Sequence, residues 1–156
     1  MNTKTKIALV TGGSRGLGKN MSLALAKKGV DLVITYNSNK AAADEVVKEI
    51  LSAGQKATAF KLDTGDTKQL DGFIQQVTAY LQEQYGSSHF DFLINNAGTA
   101  LYAPAIETTE EQLDTIFNIH YKGVFFLTQK ALPYINNGFA LCFACWVLNA
   151  VLVVSL

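Results

Sequence analysis

Net charge is absent from this chain: 13 lysines and arginines stand against 13 aspartates and glutamates over 156 residues. The basic residues are scattered, with no cluster, so no bulk field draws the chain to nucleic acid or to an anionic membrane, and neither is expected as a partner. Cysteine is nearly absent. Cys142 and Cys145 are the only two and sit near the C-terminus, which provides no disulfide framework. The first six residues, Met-Asn-Thr-Lys-Thr-Lys, lack the apolar run of a secretory leader, so the expected compartment is the cytosol. Charge of either sign disappears after Lys130.

What is present is organised around residues 11–18, Thr-Gly-Gly-Ser-Arg-Gly-Leu-Gly. The apolar run Ile7-Ala8-Leu9-Val10 precedes it and a helix-forming stretch follows it. A strand, a glycine turn and a helix in that order make a phosphate cradle. Residues without Cβ let the main chain approach a ligand, and the free N–H groups of the helix start favour an anion. The spacing of Gly12, Gly16 and Gly18 is neither Gly-x-Gly-x-x-Gly nor a P-loop, which ends in Gly-Lys-Ser/Thr.

Apolar runs predict strands over 6–11, 31–36, 56–62 and 90–95. Helical periodicity predicts helices over 17–28, 40–53, 67–84 and 110–134. The inward faces expected for them are Leu17, Met21, Ala24 and Leu25; then Ala42, Val46 and Ile50; then Leu70, Phe73, Ile74, Val77 and Leu81; and last Ile116, Phe117, Val124, Leu127 and Ala131. Strand and helix alternate throughout. The expected fold class is therefore α/β, a Rossmann-like doubly wound parallel sheet, incomplete at about four to five strands. In such a sheet ligands bind beyond the carboxyl ends of the strands. Those ends carry residues 11–18, Tyr36-Asn37-Ser38, Asp63-Thr64 and Asn95-Asn96-Ala97-Gly98.

Together with His120-Tyr-Lys-Gly-Val-Phe125, these segments resemble the short-chain dehydrogenase/reductase family over about residues 5–137. The resemblance implies hydride transfer between NADP(H) or NAD(H) and a small carbonyl or alcohol substrate. It implies that Gly12, Ser14, Arg15, Gly16, Leu17 and Gly18 hold the phosphates, that Asp63 and Thr64 meet the adenine, and that Asn95, Ala97 and Gly98 lie beside the adenosine ribose. Asn95 has a second reading, as a tie between the fourth strand and its neighbours, and Asp63 a second reading as a turn carboxylate. Tyr36, Asn37 and Ser38 occupy the place where an NAD site carries a carboxylate for the ribose 2′-hydroxyl. With no carboxylate there, and with Arg15 and nearby Lys40 offering positive charge to a 2′-phosphate, NADP(H) is expected over NAD(H).

Two departures from the family pattern stand out. The relay position in the long helix holds His120 where the family has asparagine, leaving His120 either a proton-relay group or a packed histidine. The family serine and Tyr-x-x-x-Lys, expected beyond a fifth strand, do not occur here. Tyr36–Lys40 has the spacing but stands at the second strand, and Tyr121 beside Lys122 has the wrong spacing. From Gly138 the composition turns uncharged and largely apolar, as after a reading-frame change. The domain reading is a nucleotide-binding unit over 1–137 and an aberrant apolar tail over 138–156, the latter supplying a substitute strand or helix (Val151–Ser155 has strand composition). Other readings of the tail are a membrane span over 139–156, with the chain as a tail-anchored protein, and a redox or zinc pair at Cys142 and Cys145. As given, the chain is expected to turn over little; the alternatives are a non-catalytic NADP-binding module and an inert truncation product. No metal site is expected, and the helix pairing by which the family forms homo-oligomers is expected to be incomplete.

Overall fold

A computed structural model describes residues 5–143, with side chains through residue 136. Five parallel strands stand in the order β3-β2-β1-β4-β5. In chain order the elements are β1 (Ile7–Val10), α1 (Gly16–Ala26), β2 (Asp31–Tyr36), α2 (Lys40–Ser52), β3 (Ala57–Lys61), α3 (Leu70–Tyr85), β4 (Phe90–Asn95), α4 (Glu110–Phe117), α5 (Val124–Ala131) and β5 (Ile135–Phe143). A π turn, Asn118–Gly123, joins α4 to α5. The order reverses at β1, with β2 on one side and β4 on the other, and that is where a doubly wound sheet opens its crevice.

The strands are apolar on both faces, and alternation sorts them into two cores. Ile7, Leu9, Val33, Phe90 and Leu93 join the side chains of α3 and α5, with Phe73, Val77, Leu81 and Leu127 at the centre. Ala8, Val10, Leu32 and Ile34 face the other way, toward α1 and α2, with Ala26, Ala43, Val46 and Ile50. Each fully buried Leu, Ile or Phe contributes about 1.5–3 kcal/mol relative to exposure, so two continuous cores are what hold the sheet between its helices.

The face expected on α3 is the one that is buried. The other helices differ in instructive ways. On α1 the buried residues are Gly18, Ser22 and Ala26, while Leu17 is exposed; the helix lies so close to the first turn that only small side chains fit beneath it. On α2 the buried alanine is Ala43, and Ala42 turns to the crevice. The long helix is not one regular helix. Its start is set by a capping box, with the Gln112 N–H donating to Thr109 Oγ1 (3.2 Å) and the Thr109 N–H to Gln112 Oε1 (3.0 Å). Its first half buries nothing. Leu113, Phe117, Tyr121 and Phe125 form an exposed apolar stripe along it, and Phe117 stacks on Tyr121 with ring centroids 4.8 Å apart. Phe117, expected in the core, is thus on the surface.

β5 pairs with β4 from Phe90↔Ile135 to Asn95↔Phe143, with an irregularity between Phe90 and Phe92. The strand runs through the point where the composition changes. Cys145, the stretch 151–155 and most of 139–156 lie outside the described residues. Among the described residues no helix is long and apolar enough to cross a membrane, and no group of three or more His, Cys, Asp or Glu could hold a metal ion.

Candidate functional site

At the carboxyl ends of β1, β2, β3 and β4 lies a cleft of about 640 Å³. Its walls take Gly12, Ser14, Arg15, Gly16 and Leu17 from the first turn, Tyr36, Asn37 and Ser38 from the second strand end, Asp63 and Thr64 from the third, and Ala97 and Gly98 from the fourth. The volume is that of a site for a ligand of nucleotide or drug size. Three residues picked from the sequence stand off the wall. Gly18 is buried against the Gly12 carbonyl, Asn95 is buried, and the His120 ring packs against Gly98.

The glycine turn is shaped by hydrogen bonds from β2 and from β4 with the residues just after it. Thr11 N–H donates to the Ile94 carbonyl (2.9 Å), Gly13 N–H to the Thr35 carbonyl (2.9 Å), and Gly12 N–H to Thr35 Oγ1 (3.1 Å). Asn96 closes the arrangement from β4. Its Nδ2 donates to the carbonyls of Thr11 (2.9 Å) and Gly12 (3.0 Å), and Thr11 Oγ1 accepts the N–H groups of Asn96 and Ala97, both at 3.0 Å. Gly12 sits at φ +65°, and a Cβ there would come 2.9 Å from the Ala97 Cα. A Cβ on Gly18 would collide with the Gly12 carbonyl oxygen and with Asn96 Nδ2. The last glycine is therefore spent on close helix–turn packing. Asn96 and Thr35 are organisers of the site that the sequence reading did not single out, although the doubled Asn95-Asn96 was a usable signal.

Residue 15 is the N-cap of α1 and offers no side-chain cap, and no acidic residue stands in the first turn. The N–H groups of that turn consequently have no side-chain acceptor among the described residues, and Gly16 and Leu17 line the cleft, the condition for holding an anion. Arg15 is exposed and forms no ion pair among the described residues. Lys40 differs. Its Nζ meets Asp44 at 2.7 Å, that hydrogen bond raises its pKa further, and it is not part of the wall. No carboxylate stands at the end of β2, where the wall carries Tyr36, Asn37, Ser38 and Asn39.

Asp63 is the acidic group on the wall. Its Oδ1 accepts the Gly65 N–H at 2.9 Å, so it closes a turn and faces the cleft at once. Asn95 Nδ2 donates to Thr128 Oγ1 (3.2 Å), joining β4 to α5, while its buried Oδ1 has no partner among the described residues. The ring of His120 reaches Thr99, with Nε2 3.1 Å from the Thr99 nitrogen and 2.6 Å from its carbonyl oxygen.

The model of the short chain dehydrogenase family matches residues 6–140. The hydroxynaphthalene reductase-like protein Arp2 of Metarhizium anisopliae is 39% identical over 133 residues, 85% of this chain and 48% of Arp2. The angucycline C-6 ketoreductase LanV, solved with bound NADP, superposes with a TM-score of 0.84 at 32% identity, over 87% of this chain and 53% of LanV. A short chain dehydrogenase from Burkholderia cenocepacia in complex with NADP superposes with a TM-score of 0.78 at 31% identity, over 87% of this chain and 53% of its own. The chain spans about half the length of the relatives it matches.

Proposed function

Since the chain belongs to the short-chain dehydrogenase family, we propose that it is the nucleotide-binding half of a cytoplasmic, NADP(H)-dependent oxidoreductase acting on a carbonyl or alcohol substrate. The observation that carries this reading is the pairing of Arg15, which has no ion-pair partner among the described residues, with a β2 end that holds no carboxylate. A ribose 2′-phosphate would meet a cation there, and a 2′-hydroxyl would lack the acceptor it needs. The NADP bound to LanV and to the Burkholderia protein agrees with that choice.

In this reading the first turn of α1 receives the pyrophosphate on its N–H groups, with Gly12 and Gly18 allowing the approach. Ser14 adds a hydroxyl donor. Arg15 and Ser38 take the 2′-phosphate, Asp63 and Thr64 meet the adenine, and Ala97 and Gly98 form the floor under the ribose. When bound, the dinucleotide supplies the hydride. The groups that would polarise a substrate oxygen and move its proton are the family serine and tyrosine–lysine pair. Tyr36 and Lys40 do not serve, because Lys40 is held by Asp44 at the adenosine side. The 156 residues are therefore read as binding the nucleotide with little or no turnover of their own.

Titration of the purified chain with NADPH and NADH tests the reading. NADPH is expected to bind at least about tenfold more tightly, the worth of one charge-assisted contact. Equal affinity, or no binding of either, would overturn it. NADPH oxidation with ketones, including hydroxynaphthalene-type and angucycline-type compounds suggested by the names of its relatives, tests the second part. Appreciable turnover would place hydride transfer within this chain.

A further inference from the structure

His120 lies in the π turn Asn118–Gly123, and that one turn touches both loops that wall the cleft. On the side of the third strand, a Cβ on Gly123 would collide with the Thr64 carbonyl oxygen, and one on Gly65 would come 3.0 Å from Ile119 Cγ1. On the side of the fourth, a Cβ on Gly98 would come 2.7 Å from His120 Cε1. The turn is seated against main chain on each side. Wide i→i+5 turns of this kind recur at functional sites.

The loop after β4 has few anchors of its own. Ala97 N–H is fixed on Thr11, and the next main-chain hydrogen bond within it is Glu107 N–H to the Pro104 carbonyl. Between them, among the described residues, the Thr99 main chain is bound by His120 alone. The Nε2 atom accepts the Thr99 N–H in one neutral tautomer and donates to the Thr99 carbonyl in the other; either way the ring grips the main chain of Thr99.

We propose that His120 is a positioning residue, whose Nε2 fixes the Gly98–Thr99 main chain and so sets the gap between the two loops across which nucleotide is held. The consequence for binding rests on the function proposed above; the clamp itself does not. The proposal also separates His120 from the relay role of the asparagine that the resemblance places there. A glutamine at 120 carries its amide to the position of Nε2, whereas an asparagine stops near Nδ1.

The test compares His120→Ala, His120→Gln and His120→Asn in the full chain, by hydrogen exchange of the segment 98–104 and by NADPH titration. In the Ala variant the segment is expected to exchange about tenfold faster and NADPH to bind about three- to tenfold more weakly, as for loss of one main-chain clamp. Gln is expected to restore both to within about twofold, and Asn neither. Unchanged exchange in the Ala variant, or rescue by Asn as full as by Gln, would overturn the proposal. Should the Ala variant fail to fold, the Gln and Asn variants decide between them. Should the wild-type chain take no NADPH, the functional reading falls and the exchange arm alone still judges the clamp.

Discussion

The two edges of the sheet treat charge in opposite ways. At the amino edge two carboxylates are buried, and both are fully engaged. Asp31 on β2 accepts the Lys56 N–H through Oδ1 (2.8 Å) and the Tyr85 hydroxyl through Oδ2 (2.9 Å). Asp91 on β4 accepts Lys6 Nζ (2.8 Å), the Ile7 N–H (2.9 Å) and Asn136 Nδ2 (3.2 Å). Each ties together elements far apart in sequence: β2, β3 and α3 in the first case, β1, β4 and β5 in the second. At the carboxyl edge the wall is chiefly glycine, hydroxyl and amide; its carboxylate, Asp63, closes a turn on the Gly65 N–H, and its cation, Arg15, has no ion-pair partner among the described residues. Buried charge must be paired or it destabilises. Charge left open at a cleft is available to a ligand. The same sheet thus keeps its buried, fold-holding carboxylates at one end and, at the other, the open cation that the proposed function assigns to the nucleotide.

The sharpest way to break that division is at Asp31. Replacing it by Ala leaves the Tyr85 hydroxyl and the Lys56 N–H without their partner and is expected to cost about 3 kcal/mol. The urea midpoint should fall accordingly, while NADPH affinity of the folded fraction stays within about twofold. A large loss of affinity would show that the two edges are coupled. Arg15→Ala is the converse. It should weaken NADPH binding about 10- to 100-fold, leave NADH binding within about twofold, and leave the urea midpoint unmoved.

The pH dependence of stability should report the amino edge. Burial pushes the Asp91 carboxyl up, but the hydrogen bonds from Lys6, Ile7 and Asn136, with the charge of Lys6, outweigh it and hold the group below its ordinary value of 3.8. A depressed folded-state value contributes stability that is present above the unfolded value and lost as the pH falls through the folded one, so the loss is expected below about pH 4. Tyr85 is displaced upward, first by burial and then by its hydrogen bond to Asp31. Its contribution is present below its unfolded value and is lost as the pH rises above about 10. Thermal melts across pH should therefore show a plateau with two shoulders. Asp91→Asn should flatten the acid shoulder and Tyr85→Phe the alkaline one; an unaltered profile in either variant removes that residue from the account.

Much of this was legible in the sequence, and the misses have physical causes. All four expected strands form, and a fifth joins them, because the strands of a parallel sheet read as largely apolar runs. The inward face of α3 was readable because large residues at helical spacing fill the space under it. On α1 that logic inverts: contact with the turn is so close that Gly18, Ser22 and Ala26 face inward and Leu17 outward, which a search for large apolar residues overlooks. The π turn leaves no mark in hydrophobic periodicity, and the apolar stripe through Phe117 suggests a core face, although α4 buries none of its residues. The site was legible as a set of strand ends, since polar and glycine residues interrupt apolar runs there. Asp31 and Asp91 interrupt such runs too, and a carboxylate inside a buried strand was itself a sign of a group held by hydrogen bonds.

The smallest effect separates two cations that the sequence presents alike. Lys40 stands one residue beyond Asn39 on the cleft wall and looks, in sequence, as suited to a phosphate as Arg15. Its Nζ is bound to Asp44 one helical turn on, in the solvent-facing i,i+4 arrangement. To reach a 2′-phosphate it would have to leave that partner, and the gain of the new ion pair would be offset by the loss of the old. Lys40→Ala is therefore expected to change NADPH affinity less than about twofold, against the far larger effect of Arg15→Ala. The pair can be sharpened by Asp44→Ala, which frees Lys40. If NADPH affinity then rises and the rise disappears in the double variant, Asp44 is what holds the lysine out of the site. If Lys40→Ala alone weakens binding as much as Arg15→Ala, the cationic end of the cleft has two members and the i,i+4 pair opens on binding.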